Sequence, residues 1–359
     1  MVAVSLDLDA CRTRQQRLRE RLRAQGLDVA LLTDRRYVHY FTGYWHYSSN
    51  NLVAAVVPVE GPVTLIAPSA IEGAAVDQSL AYQAARLCTL VDDQAGALLT
   101  VVKPLLHGKI GADAMCRPWL LPEAANLNPA LYALRRAKDS DEVAMIRRAI
   151  ACADAAYAKA KELLRPGVSE MHLYAQMLAA ASEEAGEPIG EFGNDFQSGT
   201  HGGLPRQRAV EEGEMAIFDL TTIYRGYCCD LCRSFAVGGK PSAAQREAYC
   251  LIMDVFAYIE AAVRPGKSCR ELYEEVHGML DGRHGWSFPH HLGHGIGLNP
   301  HEAPRLNPNW DDVFQEGDTF TTEPGLYGDD LKGGIRIEQN YLITANGVTK
   351  LSAFSTEMV

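Results

Sequence analysis

The stretch AIFDLTTIYRGYCCDLCRSFAVG, residues 216–238, has β-branched and aromatic residues on both sides of a turn candidate at 224–226. That composition predicts a β-hairpin. Asp219 lies on one arm and Asp230 on the other, and a hairpin centred near 224–225 places them directly opposite each other. Two like charges in that relation destabilise a sheet unless a cation lies between them. The stretch therefore predicts a cation site built on a hairpin.

A second stretch, residues 320–344, repeats this construction. Glu323 and Glu338 are symmetric about positions 330–331, inside the turn-forming sequence GDDLKGG. If the two hairpins pack face to face, four carboxylates converge. Such a cluster is electrostatically tenable around two divalent cations, whose positive charges balance it.

Two short segments match each other and indicate an internal duplication. RPGVSEMHLY occupies residues 165–174 and RPGKSCRELY residues 264–273. In each segment Arg-Pro-Gly ends one helix and the serine caps the next. The helices that lead into the two segments also open alike, with capping-box spacing at 139–142 and 242–245. Each copy is therefore predicted to be two helices followed by a carboxylate-bearing hairpin.

The residues before the first copy form a separate α/β pattern. A polar helix at 12–25 precedes short apolar runs that are bounded by turn residues. The predicted strands are 27–33, two strands within 51–69, 85–91 and 109–113. A helix that begins near 139 marks the boundary, so the predicted domains are residues 1–134 and 135–359.

The composition excludes several functional classes. The 359 residues carry a formal charge of −11, which argues against nucleic acid as a partner because phosphate binding needs a basic surface. No apolar run suits a signal peptide or a membrane span, so a cytoplasmic protein without a membrane partner is expected. Nine cysteines then predict reduced thiols. Cys229 and Cys232 form a C-x-x-C, but we interpret them as small buried strand residues, because no second such pair completes a zinc site.

The stretch HHLGHGIGLNPHE, residues 290–302, holds four of the eleven histidines. Its alternating glycines disfavour a helix, so His290 and His294 are not a helical metal-binding pair. In a strand, His294 can supply one nitrogen ligand to the predicted cations. His290 and His301 are weaker candidates, and nothing in the pattern singles out His291.

Several segments of the second domain resemble those of one known family. GHGIGLNPHEAP, FDL…GYCCD, TEPGLY and IRIEQNYLIT resemble the pita-bread metallopeptidase family, which includes prolidase, aminopeptidase P, methionine aminopeptidase and the metal-free creatinase. YVHYFTGY is similar to the N-terminal domain of the creatinase and prolidase branch. The resemblance implies an α/β creatinase-like N-terminal domain and an α+β pita-bread C-terminal domain with an internal pseudo-two-fold duplication. It also implies a homodimer.

The resemblance further implies a dinuclear metal centre. Its ligands would be Asp219, Asp230, His294, Glu323 and Glu338. Asp230 and Glu338 resemble carboxylates that bridge both ions, and Glu323 is the candidate for passing a proton to the leaving nitrogen. The oxygen-rich donor set suits two divalent ions of manganese, cobalt, iron or zinc.

Three further residues match positions around that centre. His301 matches a histidine that stabilises the tetrahedral intermediate, and His290 matches one that lines the substrate pocket. Arg336 matches an arginine close to the ligands. Because all five ligand positions are filled, loss of the metal as in creatinase is not expected.

The chain departs from the prolidase and aminopeptidase P pattern near the substrate. Those enzymes usually have a histidine eight residues after the serine of a Ser-Gly segment. Here Arg206 holds that position, and His201 is displaced from it. Arg206 could instead bind a substrate carboxylate bidentately. In the first domain, Tyr44 and Trp45 belong to an aromatic loop that either gates the partner subunit's pocket or packs on its own domain.

These observations favour a metal-dependent hydrolase of a C–N bond in a dipeptide or short peptide, of the Xaa-Pro dipeptidase or aminopeptidase P kind. One alternative keeps the fold and the metals but acts on a small non-peptide metabolite, as an ectoine-hydrolase-like amidohydrolase or a sulfonium lyase. Another is a non-catalytic binding protein with the same fold.

Overall fold

A computed structural model describes residues 4–48, 50–84, 93–115, 121, 123–193 and 195–359. The chain divides into two compact units, one formed by Ser5–Arg135 and one formed chiefly by Arg136–Val359. The strand predicted at 85–91 lies outside the described residues. We refer to the two parts as the N-terminal and the C-terminal unit.

The N-terminal unit is built around a six-stranded sheet. Its elements are α1 (Leu8–Gln25), β1 (Val29–Leu32), α2 (Arg35–Thr42), β2 (Ala54–Pro58), β3 (Thr64–Ala67), β4 (Gln78–Ala81), α3 (Gln94–Val102), β5 (Ile110–Ala112), β6 (Ala125–Asn126) and α4 (Asn128–Leu134). The strand order is β4-β3-β2-β1-β5-β6. All four residues of β1 are buried, as expected for a strand between two neighbours that is covered on both faces.

The C-terminal unit contains helices and three sheets. Its elements are α5 (Ser140–Leu163), α6 (Glu170–Ala185), β7 (Asp195–Ser198), β8 (Met215–Tyr224), β9 (Tyr227–Ala236), α7 (Ala243–Ala262), α8 (Cys269–Leu280), β10 (Gly293–Gly295), β11 (Glu302–Leu306), β12 (Thr319–Thr322), β13 (Gly325–Gly328), β14 (Gly333–Arg336), β15 (Gln339–Thr344) and β16 (Gly347–Lys350). The sheet orders are β7-β8-β9, β11-β10-β12-β15-β16 and β13-β14. Buried side chains of α7, α8 and the strands, such as Ile252, Leu272 and Phe320, form one apolar core.

The predicted duplication is visible in the hydrogen bonds of the two Arg-Pro-Gly segments. Gly167 N donates to Val210 O and Gly266 N donates to Phe314 O, both at 2.9 Å. Both glycines have positive φ, 91° and 92°. Ser169 then caps α6 and Ser268 caps α8. Both capping boxes predicted upstream are also present.

The first hairpin forms, but its register differs from the prediction. Thr221 lies opposite Asp230, and Asp219 lies opposite Cys232. The reason is a two-residue turn at Arg225 and Gly226, both with positive φ (47° and 85°), which is the turn geometry that suits the twist of a hairpin. The two aspartates are therefore diagonal neighbours on one face, two positions out of direct opposition.

The second hairpin keeps the predicted symmetry. Thr322 pairs with Gln339, and Gly325 pairs with Arg336. Both pairs have the same centre, so Glu323 and Glu338 lie across from each other, between the paired segments. The two carboxylate pairs are thus related by the duplication without being identical.

The glycine-rich strand is shorter than predicted. β10 contains only Gly293–Gly295, and its register against β11 shifts after His294. A Cβ on Gly293 would clash with the carbonyl of Thr321, and one on Gly295 with the carbonyl of Ala303. These glycines allow the backbone of β11 and β12 to approach on either side, which fixes the backbone of His294 between the two strands.

The C-x-x-C motif belongs to a buried strand. Cys229 and Cys232 are both 0% exposed and carry free thiols. Three positions apart on β9, they point to opposite faces of the sheet and cannot share an ion. This confirms their interpretation as small buried strand residues.

Candidate metal centre

The five predicted ligands come from five different places in the C-terminal unit. Asp219 is on β8, Asp230 on β9 and His294 on β10. Glu323 follows β12 directly, and Glu338 precedes β15 directly. The backbone closes this arrangement, because Glu323 N donates to Leu292 O (2.8 Å) and Glu338 N donates to Cys232 O (3.0 Å).

The structure brings all five side chains together. Oxygen atoms of Asp219, Asp230 and Glu338 lie within 4.8 Å of one another. His294 Nε2 is 3.8 Å from Asp230 Oδ2 and 3.6 Å from Glu323 Oε1. These separations are those of side chains that share an ion, and they are too long for direct hydrogen bonds. The cluster is buried, since Asp230, His294, Glu323 and Glu338 are each 7% exposed or less.

Burial and mutual repulsion dominate the electrostatics of the cluster. Burial raises the pKa of Asp219 to about 6, against the opposing effect of the Arg336 guanidinium. Burial, together with neighbouring carboxylates, raises the pKa of Asp230 and of Glu338 well above the ordinary range. Burial also raises the pKa of Glu323, but the hydrogen bond and the charge from His291 outweigh this effect and bring it to about 2. Without cations, then, Asp219, Asp230 and Glu338 resist ionisation, whereas Glu323 stays ionised beside His291.

Glu338 tests whether a cation fits. Thr321 donates its hydroxyl to Oε1, while Oε2 is buried and has no hydrogen-bond partner among the residues that the structure describes. A buried carboxylate oxygen without a partner is costly. A divalent cation would satisfy it, and a mixed set of carboxylate oxygens and one imidazole nitrogen suits such an ion. The residues present therefore fit a metal site.

His294 is oriented for metal binding by its own backbone. Its Nδ1 lies 3.1 Å from the carbonyl oxygen of Gly295, so the proton belongs on Nδ1 and the Nε2 lone pair faces the carboxylates. Burial lowers the pKa of His294 to about 3, which keeps the ring neutral. The exposed His301 stacks on this ring, with centroids 3.7 Å apart and an interplanar angle of 18°. A nitrogen of His301 also lies within 4.8 Å of ligand atoms of His294 and Asp230, so these three residues could share an ion.

His291 is a site residue that the sequence analysis missed. Its Nε2 is 2.7 Å from Glu323 Oε1, a hydrogen-bond distance, and its side chain is 35% exposed. Burial lowers its pKa, but the hydrogen bond and the charge of Glu323 outweigh that effect and raise it. The residue gave no signal because the resemblance pointed to its neighbour His290, and residues 290–292 form no strand whose alternation could single out His291.

His290 and Arg336 meet at Tyr327. His290 Nε2 lies 2.8 Å from the Tyr327 hydroxyl, and its Nδ1 lies 2.8 Å from the carbonyl oxygen of His291. Arg336 Nη1 donates to the same hydroxyl at 3.4 Å, and its Nη2 forms ion pairs with Asp219 (2.9 Å) and Asp195. Tyr327 was not predicted, yet it joins both predicted residues.

His201 also lies beside Tyr327. The two ring centroids are 4.8 Å apart, and His201 is exposed. The displaced histidine of the sequence is therefore next to the tyrosine that contacts His290 and Arg336. Its predicted contact with substrate remains a prediction.

The structure gives Arg206 a different partner from the one predicted. Arg206 Nε and Nη2 bind both carboxylate oxygens of Glu170, at 2.9 and 2.6 Å, and Nη2 also donates to Ser198 O. Glu170 is fully buried at the start of α6. The bidentate edge that was predicted for a substrate carboxylate is occupied by this glutamate, because a buried charge requires a partner.

The aromatic loop of the N-terminal unit makes contacts within that unit. The Tyr44 hydroxyl lies 3.1 Å from His46 Nδ1. The Trp45 ring lies 5.4 Å from the ring of His39 and is covered by the guanidinium of Arg35. Of the two alternatives for this loop, these contacts match packing on its own domain.

Two family models match the chain. The model of metallopeptidase family M24 matches residues 144–345, which is more than half of the chain and includes all five predicted ligands. The model of the creatinase/prolidase N-terminal domain matches residues 14–144. None of the helices in the described part of the chain is both long and apolar enough to cross a membrane.

The chain is similar to several peptidases along most of its length. The Xaa-Pro dipeptidase of Pyrococcus furiosus is 31% identical over 243 residues, 66% of this chain and 69% of that protein. An uncharacterised peptidase of Staphylococcus saprophyticus is 25% identical over 94% of this chain and 99% of its own. Among solved structures, the prolidase of Pyrococcus horikoshii has a TM-score of 0.76 at 22% identity, covering 97% of this chain and 100% of that chain. Aminopeptidase P of E. coli, solved with the inhibitor Pro-Leu, has a TM-score of 0.79 at 19% identity, covering 98% of this chain and 97% of that chain.

Proposed function

Since the chain belongs to metallopeptidase family M24, we propose that it uses two divalent ions to cleave the bond before proline in dipeptides or short peptides. Family membership makes the protein a peptidase, and the predicted creatinase-like and pita-bread folds are confirmed by the same matches. The substrate and the number of ions are our proposal. The prolidase relatives support it, and so does the ligand cluster itself.

One observation carries the metal part of the proposal. Four buried carboxylates and one buried, neutral imidazole converge, and Glu338 Oε2 lacks a partner among the described residues. Buried carboxylates at such separations repel one another unless protons or cations compensate them. Two divalent ions, held by Asp219, Asp230, His294, Glu323 and Glu338, would balance the four negative charges.

The ions would supply a water of lowered pKa and polarise the scissile carbonyl. The chain's own residues do the rest. Glu323 can hold the proton from that water and pass it to the leaving nitrogen, while His291 keeps its carboxylate in place by a 2.7 Å contact. His301 is exposed, so its free nitrogen can donate to the developing oxyanion. Thr221 donates to Asp230 Oδ1 at 3.1 Å and fixes that carboxylate.

The test is hydrolysis of a substrate panel by protein reconstituted with manganese, cobalt, iron or zinc. The panel combines Xaa-Pro dipeptides, longer Xaa-Pro peptides and cyclic amidine metabolites. Cleavage of the prolyl bonds supports the proposal. The matched control is Asp230→Ala. It removes a carboxylate that lies close both to Asp219 and Glu338 and to His294 and His301. Full turnover by a metal-free Asp230→Ala protein would contradict metal dependence.

The alternative of a small-metabolite enzyme has lost its main structural support. It depended on Arg206 as a free carboxylate binder, and Arg206 is engaged by Glu170. If the protein hydrolyses no peptide but turns over a cyclic amidine, the small-metabolite alternative would nevertheless be favoured. A non-catalytic binding role finds no support, because the family is one of peptidases.

Two further expectations belong to this proposal, namely a homodimer and a cytoplasmic location. All cysteines in the described residues carry free thiols, as a reducing compartment would leave them. Light scattering on the purified protein tests the dimer. A monomer at working concentration would remove that part of the proposal while leaving the chemistry intact.

A further inference from the structure

We propose that the buried ion pair between Lys138 and Glu302 is a positioning pair, which holds His301 against His294 at the metal centre. The inference rests on the proposed function, since it concerns the histidine that would face the substrate. Neither residue touches the ligand cluster directly, so their effect would pass through His301. We call residues 296–302 the His301 loop.

The His301 ring lies in a defined orientation although the residue is exposed. It lies almost parallel to the His294 ring, with centroids 3.7 Å apart. Contact between two neutral rings is weak and tolerates many offsets. An exposed side chain on a mobile loop would sample other rotamers. The backbone of the His301 loop must therefore be fixed for this stacking to persist.

The first half of the loop is fixed by the sheets on either side. Ile296 N donates to Thr319 O at 3.0 Å, and the Thr319 hydroxyl donates to Ile296 O at 2.7 Å. Cys228 N, on β9, donates to Gly297 O at 2.8 Å. These bonds end before the loop turns back towards His301.

The second half is held by the side chain of Glu302, the residue directly after His301. Glu302 Oε1 accepts from Lys138 Nζ at 2.6 Å, and Oε2 accepts from Asn299 N at 3.4 Å. One carboxylate thus joins both ends of the turn that carries His301. Its displacement would release the turn.

Lys138 is itself fixed on the other side of the pair. Its side chain is 1% exposed and that of Glu302 is 8% exposed. Lys138 Nζ also donates to Arg136 O at 3.1 Å, and Lys138 N donates to Gly317 O at 2.9 Å. A buried charge that loses its partner is strongly unfavourable, so each member keeps the other in place.

Gly297 provides independent evidence that the loop is built around this pair. A Cβ at position 297 would lie 2.7 Å from Glu302 Oε1 and 2.8 Å from Lys138 Cε. A side chain at position 297 would have to displace the ends of Lys138 and Glu302, so glycine lets the loop close over the ion pair as it stands. The third of the alternating glycines therefore serves Lys138 and Glu302, whereas Gly293 and Gly295 serve the strand.

The experiment is a double-mutant cycle between Glu302→Met and His301→Ala, on metal-loaded protein with the peptide that it cleaves best. His301→Ala should lower kcat on the order of 10²-fold, the loss typical of a missing oxyanion donor. Glu302→Met should lower kcat at least roughly tenfold with KM and bound metal unchanged, since the ligands stay in place. If Glu302 acts through His301, Glu302→Met should change kcat by less than about twofold in the His301→Ala background. Fully additive losses would overturn the proposal.

Two variants separate positioning from loss of stability. Lys138→Met/Glu302→Met replaces the buried pair by apolar side chains of similar size, a change that often leaves folding intact. It should show the same loss of kcat. Glu184→Met breaks the ion pair of Glu184 with Arg148, which joins α6 to α5. It should lower the melting temperature without changing kcat.

A readout that needs no turnover keeps this proposal distinct from the proposed function. In metal-free protein with labelled histidines, the Hε1 resonance of His301 can be assigned by its absence in His301→Ala. Release from the His294 ring should shift this resonance in Glu302→Met and leave it unchanged in Glu184→Met. An unshifted resonance contradicts the positioning role even if the wild-type protein cleaves no peptide at all.

Discussion

His291 shows how one side chain defines the role of its neighbour at the metal centre. Its Nε2 lies at hydrogen-bond distance from Glu323 Oε1, whereas His294 Nε2 lies 3.6 Å from Glu323 Oε1 and 3.8 Å from Asp230 Oδ2. The short contact is that of a donor which orients a ligand, and the longer ones are those of ligands around an ion. His291 is therefore placed to orient Glu323, one of the five proposed ligands.

Replacing His291 should weaken metal binding. His291→Ala removes the donor that orients Glu323, and loss of such a partner typically lowers metal affinity by about 10- to 100-fold. A competition titration with a chromogenic chelator measures this change. The control is His172→Ala, which removes an exposed imidazole from α6. Equal affinities for all three proteins would show that Glu323 does not depend on His291.

Asp154 predicts a pH-dependent stability away from the metal site. Burial raises its pKa to about 6, more than the nearby Arg233 lowers it, and its Oδ1 has no hydrogen-bond partner within the described ranges. The folded state therefore binds this proton more tightly than the unfolded chain does. The protein loses stability from Asp154 as pH rises through about 6, and the loss is complete above it.

Asp154→Asn should remove that loss. At pH 7.5 the variant should be more stable than the wild type by about 1–2 kcal/mol, after allowance for partial exposure, and at pH 4 the two should be nearly equal. Urea unfolding at both pH values gives the difference. A constant difference across this range would mean that Asp154 does not titrate as its burial predicts.

At the scale of elements, local signals predicted the structure best. The capping boxes of α5 and α7 and the serine caps of α6 and α8 depend on residues only three positions apart, so the sequence contains all that decides them. The predicted register of the first hairpin was wrong because the positive φ of Arg225 decides where the chain turns. Nothing in an arginine predicts that conformation, which few residues other than glycine adopt.

Gly295 and Gly278 make a matched pair for testing the strand of His294. A Cβ on Gly295 would meet the backbone of Ala303 and Pro304, which cannot yield without opening β10 from β11. Gly295→Ala should therefore destabilise the protein by about 1–3 kcal/mol and reduce bound metal. Gly278→Ala, on the exposed face of α8 with nothing within 4 Å, should stabilise it by about 0.5–1 kcal/mol. Thermal unfolding of both variants measures these changes in stability. Similar changes in the two variants would refute the steric argument.

At the scale of the whole molecule, the sequence predicted which residues converge better than it predicted their roles. The five ligands could be proposed because the duplication and the resemblance locate them along the chain. Arg206 was misjudged because its partner, Glu170, lies 36 positions away, and nothing in the sequence links the two residues. Tyr327 was missed because its contact with His290 forms only once the β13–β14 hairpin, which also carries Arg336, has packed against the segment before β10.

Removal of the metal should destabilise the protein, because the buried carboxylates would then repel one another or have to take up protons. Metal at a hundredfold excess over Kd should restore about 2.7 kcal/mol for each independent site. Glu338→Gln should weaken this dependence on metal, since an uncharged amide at position 338 needs neither a proton nor a cation to compensate it. Its metal-free form should melt no lower than the metal-free wild type, and added metal should raise its melting temperature less. Differential scanning fluorimetry with and without a chelator tests both points, with the exposed Glu316→Gln as control.

The proposed ligands of the centre are spread from Asp219 to Glu338 and lie in or beside five different strands. No hairpin or helix pair alone brings a complete set together, so the unfolded chain and its early intermediates offer only scattered carboxylates. We therefore expect tight metal binding only by molecules whose C-terminal unit has folded completely. The metal bound per chain in a purified sample would therefore count its natively folded molecules, independently of any substrate.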